Sequence, residues 1–265
     1  MMKLRALVAA LVLALVATAV AMAQTGDAQP DGNAHPNVGA LLAPRADGSL
    51  RIICTGTLVS PRVFLTAGHC TSYMESLGLT RAYVTFDPNF GLNADHSIKT
   101  TPYVGDIHTN PGYKQPYLHD TAIVLLDAPA GITPAKIAPL HFLDGLKASR
   151  AIYDTEFLNV GYGSAEQIVV PRTGPTFPFD GIRKWTISGF SALDPAIIHL
   201  NQNLFQGYSG TGYGDSGGPT FVTTATGPVV ISVVSSGDVP CWATSTNTRV
   251  DTDDAQSFLA PYLTQ

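Results

Sequence analysis

Short apolar stretches separated by turn residues recur along the chain, and they constrain its fold more than any other feature. Glycine (25) and proline (19) are plentiful between them, and only 13% of residues are charged, which suits short strands and tight turns. The segment Asp253 to Leu263 differs, because acids in its opening turn followed by apolar residues predict a helix. The sequence therefore predicts an all-β fold with a C-terminal helix. The predicted strands are Leu50 to Ile53, Thr55 to Val59, Val63 to Thr66, Arg81 to Phe86, Ala122 to Leu126, Thr155 to Val160, Gly181 to Ile187, Pro219 to Val222, Val229 to Val234 and Thr248 to Val250.

The first 23 residues have the pattern of a secretory signal peptide. A short positive head precedes an apolar run over residues 6–20, and Ala21 and Ala23 are the small residues that a signal peptidase reads. A membrane anchor is the alternative, but the run is alanine-rich and short for a bilayer. We therefore predict a signal peptide over residues 1–23, a mature domain over residues 24–265, an extracellular location and no membrane attachment after cleavage.

The charge of the mature chain argues against a nucleic-acid partner. Downstream of the signal, 13 basic residues stand against 20 acidic ones. No basic stripe remains that could neutralise a phosphate backbone. A role in binding DNA or RNA is therefore not predicted.

The string Gly214-Asp215-Ser216-Gly217-Gly218-Pro219 is the most informative motif. A serine flanked by glycines can lie on a tight, exposed turn. The backbone amides of Gly214 and Ser216 can then point into one small space, which is the geometry of an oxyanion hole. A serine hydroxyl is a weak nucleophile alone, so it needs a base within hydrogen-bond reach and an acid that orients the base.

The same string also satisfies the G-x-S-x-G pattern of α/β-hydrolases, which would make the chain an esterase or lipase. That fold needs its histidine after the serine, and it alternates strands with long helices. Every histidine here precedes Ser216, and the helices are missing from the predicted elements. This alternative is therefore rejected. The histidines are His35, His69, His96, His108, His119, His141 and His199.

His69 and Asp120 are the candidates for the base and the acid. His69 follows a buried strand and a small-residue turn, Ala67-Gly68, and is next to Cys70. Asp120 precedes a fully apolar strand, where a carboxylate is costly to bury unless something hydrogen-bonds it. The order along the chain is His69, Asp120 and Ser216.

These motifs together resemble the chymotrypsin and trypsin family of serine endopeptidases. The strings Thr66 to Cys70, Asp120 to Leu126 and Gly214 to Pro219 are similar to its three signatures, in the same order. Val160-Gly161-Tyr162-Gly163 is also similar to its turn between the two barrels. The likeness extends from about Pro36 to the terminal helix.

The resemblance implies two six-stranded antiparallel β-barrels with the active site in the cleft between them. The first barrel would span about residues 36–140 and the second about residues 150–250. The C-terminal helix would span about residues 253–263. We therefore expect a single protease domain built from two similar halves.

The resemblance also implies a catalytic triad of Ser216, His69 and Asp120, with the oxyanion held by the amides of Gly214 and Ser216. Protein or peptide substrates, a monomer and no metal or organic cofactor are expected. The alternative is a protease-fold binding protein that has lost catalysis. Such relatives usually lose a triad member or an oxyanion glycine, and all of these residues are present here.

The specificity pocket departs from the trypsin branch of the family. That branch has an aspartate six residues before the serine, whereas this chain has Gly210 followed by Thr211. Cleavage after lysine or arginine is therefore not predicted, and an uncharged floor favours an apolar or aromatic side chain. Asp238 at the rim and the pocket loop around Ser245 could change this preference. Ser235-Ser236-Gly237 is similar to the family strand that pairs with substrate backbone, with Ser236 in place of a tryptophan.

The resemblance further implies a disulfide between Cys54 and Cys70. Cys241 matches half of a second family disulfide, but Gly212 occupies the partner position. Cys241 is therefore expected to be free or to pair between molecules.

The activation step differs from that of the animal members, in which a newly cut N-terminal amine pairs with the aspartate before the serine, here Asp215. No string like Ile-Val-Gly-Gly lies between Gln24 and Val38. Either the terminus left by signal cleavage pairs with Asp215, or an internal group does. The second is favoured, because an N-terminal glutamine tends to cyclise and lose its amine.

Overall fold

The computed structural model describes residues 26–90, 101–116, 118–164, 168–170, 174–176 and 179–264. The predicted signal peptide lies outside these residues. The described chain begins with a short strand, β1 (Gln29–Pro30).

Six antiparallel strands form a first closed barrel. Their order around the barrel is β2-β3-β4-β7-β6-β5, and β5 closes it by pairing with β2. They are β2 (Val38–Pro44), β3 (Leu50–Ser60), β4 (Val63–Thr66), β5 (Arg81–Thr85), β6 (Tyr103–Thr109) and β7 (Ala122–Leu126).

A second closed barrel follows, in the order β12-β13-β16-β15-β14-β9, and β9 closes it by pairing with β12. A short strand, β8, pairs in parallel with β15, and β10 and β11 form a separate hairpin. Strand β1 adds to the edge of β12. The predicted fold class, two six-stranded antiparallel barrels, is confirmed. The strands are β8 (Lys136–Ile137), β9 (Phe157–Gly161), β10 (Ile168–Val170), β11 (Gly174–Thr176), β12 (Lys184–Leu193), β13 (Ile197–Asn201), β14 (Pro219–Thr224), β15 (Gly227–Gly237) and β16 (Thr244–Arg249).

Three α-helices accompany the barrels in the described residues: α1 (Gly68–Ser76), α2 (Phe142–Ala148) and α3 (Asp253–Leu263). Two 3₁₀ turns cover Ala151–Asp154 and Leu204–Gln206. The predicted C-terminal helix is confirmed as α3, and its N-cap Thr252 accepts a hydrogen bond from the amide of Ala255 at 3.3 Å. No helix among the described residues is long and apolar enough to cross a membrane.

The strand prediction was wrong in several places. The strands that were not predicted are β1, β2, β6, β8, β10, β11 and β13, and helices α1 and α2 were not predicted either. Two predicted strands are one continuous strand, β3. Strand β2 is buried along nearly its whole length, so its sequence is an apolar run without the alternation of a half-exposed strand. Strand β6 contains Gly105, whose missing side chain leaves room for the β7 backbone: a Cβ there would lie 2.5 Å from the oxygen of Leu125.

Apolar side chains join the two barrels and α3 into one continuous core cluster. Leu65 and Ile123 come from the first barrel, Phe221 and Val233 from the second, and Leu259 from α3. Further clusters fill each barrel separately. The cleft between the barrels is therefore supported by a packed apolar layer, which makes their relative position resistant to change.

A fully buried arginine adds a polar connection between the barrels. Arg183, just before β12, donates through Nη1 to the carbonyl oxygens of Val38 (2.8 Å) and Phe86 (3.1 Å). Its Nε donates to the buried carboxylate of Asp31 at 2.8 Å, and its Nη2 to the side chain of Asn33 at 2.8 Å. A buried guanidinium is tolerated only when it is paired and hydrogen-bonded in this way.

The pKa of Asp31 reflects this pairing. Burial raises it, but hydrogen bonds from His35 and the charge of Arg183 outweigh burial and lower the pKa to about 2. Its carboxylate therefore stays ionised in the folded protein at any pH above that value.

Replacing Asp31 with asparagine should lower the free energy of unfolding by about 3–5 kcal/mol at pH 7, because the buried Arg183 loses its counter-charge. The folded-state pKa is below the usual 3.8, so the wild-type chain keeps this stabilisation above about pH 4 and loses it as the pH falls toward about 2. Urea unfolding of both proteins across this range measures the effect. The exposed control Asp27→Asn should change stability by less than about 0.5 kcal/mol. A difference between Asp31→Asn and wild type that does not shrink below pH 4 would contradict this account.

Candidate active site

His69 is held by two bonds to one carboxylate. It lies in the first turn of α1, directly after β4, and its backbone N–H donates to Asp120 Oδ1 at 2.7 Å. Its Nδ1 lies 2.8 Å from Asp120 Oδ2. Because a carboxylate only accepts, Nδ1 carries a proton, and in the neutral imidazole Nε2 then keeps the lone pair of a base. The His69 side chain is 30% exposed, whereas that of Asp120 is fully buried.

Asp120 has a third partner in the second barrel. The hydroxyl of Ser235, on β15, donates to Asp120 Oδ2. Three hydrogen bonds thus compensate the buried carboxylate, which would otherwise be costly to remove from water. The sequence predicted Ser235 only as part of a substrate-binding strand. No local signal could have found this contact, since the two residues are far apart in the chain.

The turn Gly214–Gly218, called here the serine turn, packs directly against the first barrel. Gly214 and Gly217 have φ values of +97° and +78°, which favour glycine. A Cβ on Gly217 would lie 2.2 Å from Thr66 Oγ1 and 2.6 Å from the Ala67 nitrogen. Glycine therefore allows the turn to approach the end of the strand that leads into His69.

Thr55, on β3, connects the serine turn to the first barrel by hydrogen bonds. Its N–H donates to the carbonyl oxygen of Ser216 and its hydroxyl to that of Gly214, both at 2.9 Å. The same hydroxyl accepts from the amide of Tyr162 at 3.1 Å, in the turn that follows β9. The sequence did not identify Thr55 as a site residue. Its neighbour Cys54 was the nearest available signal.

The disulfide between Cys54 and Cys70 is present, as predicted. Cys70 Sγ lies 3.6 Å from His69 Nε2 and 3.9 Å from the carbonyl oxygen of Ser216. The disulfide therefore contacts both the histidine and the serine.

Among the described residues, the hydroxyl of the partly exposed Ser216 makes no hydrogen bond, so the bond between Ser216 and His69 is not formed here. Such catalytic bonds often tighten only when substrate is bound.

The amides of Gly214 and Ser216 donate to no other group in the described part of the chain. The residue between them, Asp215, is buried, and its carboxylate accepts from the amides of Gly163 and Gly212 at 2.8 Å each. Asp215 therefore ties the serine turn to the Gly161-Tyr162-Gly163 turn. These two amides are internal partners of Asp215 that the sequence did not name. Gln24, the terminus that signal cleavage would leave, lies outside the described residues.

The predicted specificity residues come from the segment just before the serine turn and from the end of β15. Gly210 and Thr211 pack against a buried side chain that the sequence did not single out, Gln202, whose Oε1 accepts from the Thr211 amide at 3.0 Å. Ser236 and Gly237 lie on β15, paired with β16.

In the loop after β15, the carboxylate of Asp238 binds backbone amides of its own loop. Partial burial raises the pKa of Asp238, but hydrogen bonds from the amides of Thr244, Trp242 and Ala243 outweigh burial and hold it below its usual range. The carboxylate is therefore committed to its own loop. Cys241 is a free, buried thiol, and burial together with the charges of Asp238 and Asp215 raises its pKa to about 11.

Comparison with known proteins agrees with this geometry. The trypsin family model matches residues 25–253. A search of curated proteins finds no match. The matched range includes both barrels, His69, Asp120 and Ser216. This chain therefore belongs to the trypsin family.

Proposed function

We propose that this trypsin-family protein is a secreted serine endopeptidase in which Ser216, His69 and Asp120 form the catalytic triad. The pairing of His69 with the buried Asp120 carries the proposal, because it leaves Nε2 as a base. Acyl transfer also requires hydrogen-bond donors for the oxyanion that forms on the substrate. The amides of Gly214 and Ser216 can supply these bonds, because they donate to no other group in the described chain.

The proposed reaction has two halves. Ser216 Oγ attacks the scissile carbonyl carbon while His69 Nε2 takes the hydroxyl proton, and Asp120 stabilises the imidazolium that forms. The amides of Gly214 and Ser216 bind the resulting oxyanion. His69 then donates its proton to the leaving amine, which leaves an acyl group on Ser216. Water repeats the sequence and releases the second product.

Secretion and domain organisation belong to the same proposal. The signal pattern of residues 1–23 and the disulfide between Cys54 and Cys70 support export, because disulfides persist in oxidising compartments. We take residues 24–265 as one protease domain that acts as a monomer on proteins or peptides.

Replacing Ser216 with alanine should abolish cleavage of a diverse peptide library, because no other described group takes the place of the nucleophile. Mass spectrometry of the products, with the purified secreted chain beside the Ser216→Ala variant, measures this. Cuts made by the wild-type chain alone would support the endopeptidase. Absence of cuts in both samples would overturn the proposal in favour of a protease-fold binding protein.

Asp120→Asn should lower kcat at neutral pH by about 10⁴-fold, because an amide favours the wrong tautomer of His69. Kinetics on one peptide identified from the library measure the loss. The control Asp106→Asn removes an exposed carboxylate on β6 and should leave kcat nearly unchanged. A loss below about tenfold for Asp120→Asn would contradict the assigned role.

Thr55→Val should lower the free energy of unfolding by about 1–3 kcal/mol, because a carbonyl and an amide lose their buried hydroxyl partner. It should also lower kcat/KM by about tenfold or more, since the serine turn loses a connection to the barrel that carries His69. Thr55→Ser keeps the hydroxyl and is the matched control. Wild-type kcat/KM in Thr55→Val would show that the connection does not position the serine.

A further inference from the structure

The interior of the second barrel contains a continuous series of buried hydrogen-bonding side chains, called here the polar chain. Each member is at most 5% exposed, and the series ends on the backbone carbonyl of Ser209. Away from water, each buried donor must be matched with an acceptor on a neighbour, so the partners together fix the direction of every hydrogen bond. The members are Thr211, Ser245, Asn247, Thr220, Asn159 and Ser188.

The carbonyl at one end sets the direction of the first bonds. A carbonyl oxygen only accepts, so Ser188 must donate its single hydroxyl hydrogen to Ser209 O, at 2.7 Å. Ser188 Oγ must then accept from Asn159, at 2.8 Å, which requires the amide nitrogen of Asn159 on that side. Its amide oxygen therefore faces Thr220.

The same accounting continues to the other end. Thr220 donates to Asn159 Oδ1 at 2.9 Å and accepts from Asn247 Nδ2 at 3.0 Å. Asn247 Oδ1 then accepts from Ser245 at 2.7 Å. Ser245 has no hydrogen left, so Thr211 must donate to it across 2.9 Å. Thr211 Oγ1 is consequently left with lone pairs only, and it is an acceptor to anything beside it.

The Gln202 side chain binds the backbone of Thr211, the residue that carries this acceptor. A Cβ on Gly210 would lie 2.0 Å from Gln202 Oε1, so the glutamine amide occupies the space where a longer residue at position 210 would project. Gln202 Oε1 accepts from the Thr211 amide. Its Nε2 has one long bond, of 3.5 Å, to the Thr211 carbonyl, and its other N–H has no partner among the described residues.

We propose that this pair makes the specificity pocket selective for a carboxamide, so that the chain cleaves after asparagine or glutamine. The proposal rests on the proposed function and on the place of Gly210 and Thr211 in its pocket. The substrate amide N–H would donate to Thr211 Oγ1, and its oxygen would accept from Gln202 Nε2. An aspartate or glutamate carboxylate would oppose the lone pairs of Thr211, and an apolar side chain would leave the N–H of Gln202 unpaired.

Peptides that differ only in the residue before the scissile bond test this selectivity on the wild-type chain. The matched sets are glutamine, glutamate and methionine, and asparagine, aspartate and leucine. In at least one set, kcat/KM should be about tenfold or more higher for the amide than for either isostere. Equal or higher values for the acidic or apolar peptides in both sets would overturn the proposal.

Ser245→Ala tests the direction of the polar chain. Without its acceptor, the Thr211 hydrogen is free to donate to substrate, so the glutamine-to-glutamate ratio of kcat/KM should fall by about tenfold. Ser232→Ala is the matched control, since Ser232 Oγ is also buried but has no hydrogen-bond partner in the described chain, and it should keep the wild-type ratio. An unchanged ratio in a folded Ser245→Ala protein would overturn the assigned direction.

Thr211→Val removes the acceptor itself and should lower the preference for glutamine over methionine by about tenfold, whereas Thr211→Ser should keep it. Circular dichroism establishes that each variant is folded. An undiminished preference in Thr211→Val would overturn the role of its hydroxyl.

Failure of this proposal differs from failure of the proposed function. Ser216-dependent cleavage without amide preference overturns the pocket assignment alone. Absence of all cleavage overturns the protease, and calorimetric binding of the same peptides to Ser216→Ala then decides the pocket: tighter binding of the amide peptides supports it, and equal affinity overturns it.

Discussion

Thr55 joins the serine turn to the barrel that carries the histidine, and the geometry of the site depends on that connection. Its N–H and hydroxyl bind the carbonyls of Ser216 and Gly214, and the same hydroxyl accepts from Tyr162. The serine turn belongs to the second barrel by sequence but is bonded to the first. Cys54, next to Thr55 in the chain, forms the disulfide with Cys70, which contacts His69. One short segment of β3 therefore positions both the histidine and the serine turn.

Buried charges around this segment are each satisfied by several hydrogen bonds. Asp120 accepts from His69 twice and from Ser235 once, and Asp215 accepts from two backbone amides. Arg183 and Asp31 do the same at the other junction of the barrels. Removing one partner leaves a charge in a poorly polarisable interior, so such clusters resist rearrangement. The apolar core holds the barrels together, and these polar contacts fix the position of one barrel relative to the other.

The polar chain has a different consequence, because it transmits a direction rather than a charge. The carbonyl oxygen of Ser209 decides the direction in which the Thr211 hydroxyl donates its hydrogen, through the five hydrogen-bonding side chains that lie between them. In the proposed pocket, this direction would allow the uncharged side chains of Thr211 and Gln202 to distinguish an amide from a carboxylate.

The sequence by itself determined the fold class, most strands, the terminal helix and the residues of the proposed triad. These follow from local patterns: apolar stretches between turn residues, and short strings around His69, Asp120 and Ser216. It did not reveal strand β2, whose unbroken burial erases the alternation on which strand prediction relies.

Only the tertiary structure brought Ser235 to Asp120, Thr55 to the serine turn and Gln202 to Gly210. Closing each barrel pairs residues that are distant in the chain, and no local pattern records which ones meet. The direction of the polar chain was likewise undecided by residue types, because a hydroxyl can donate or accept until its neighbours settle the choice.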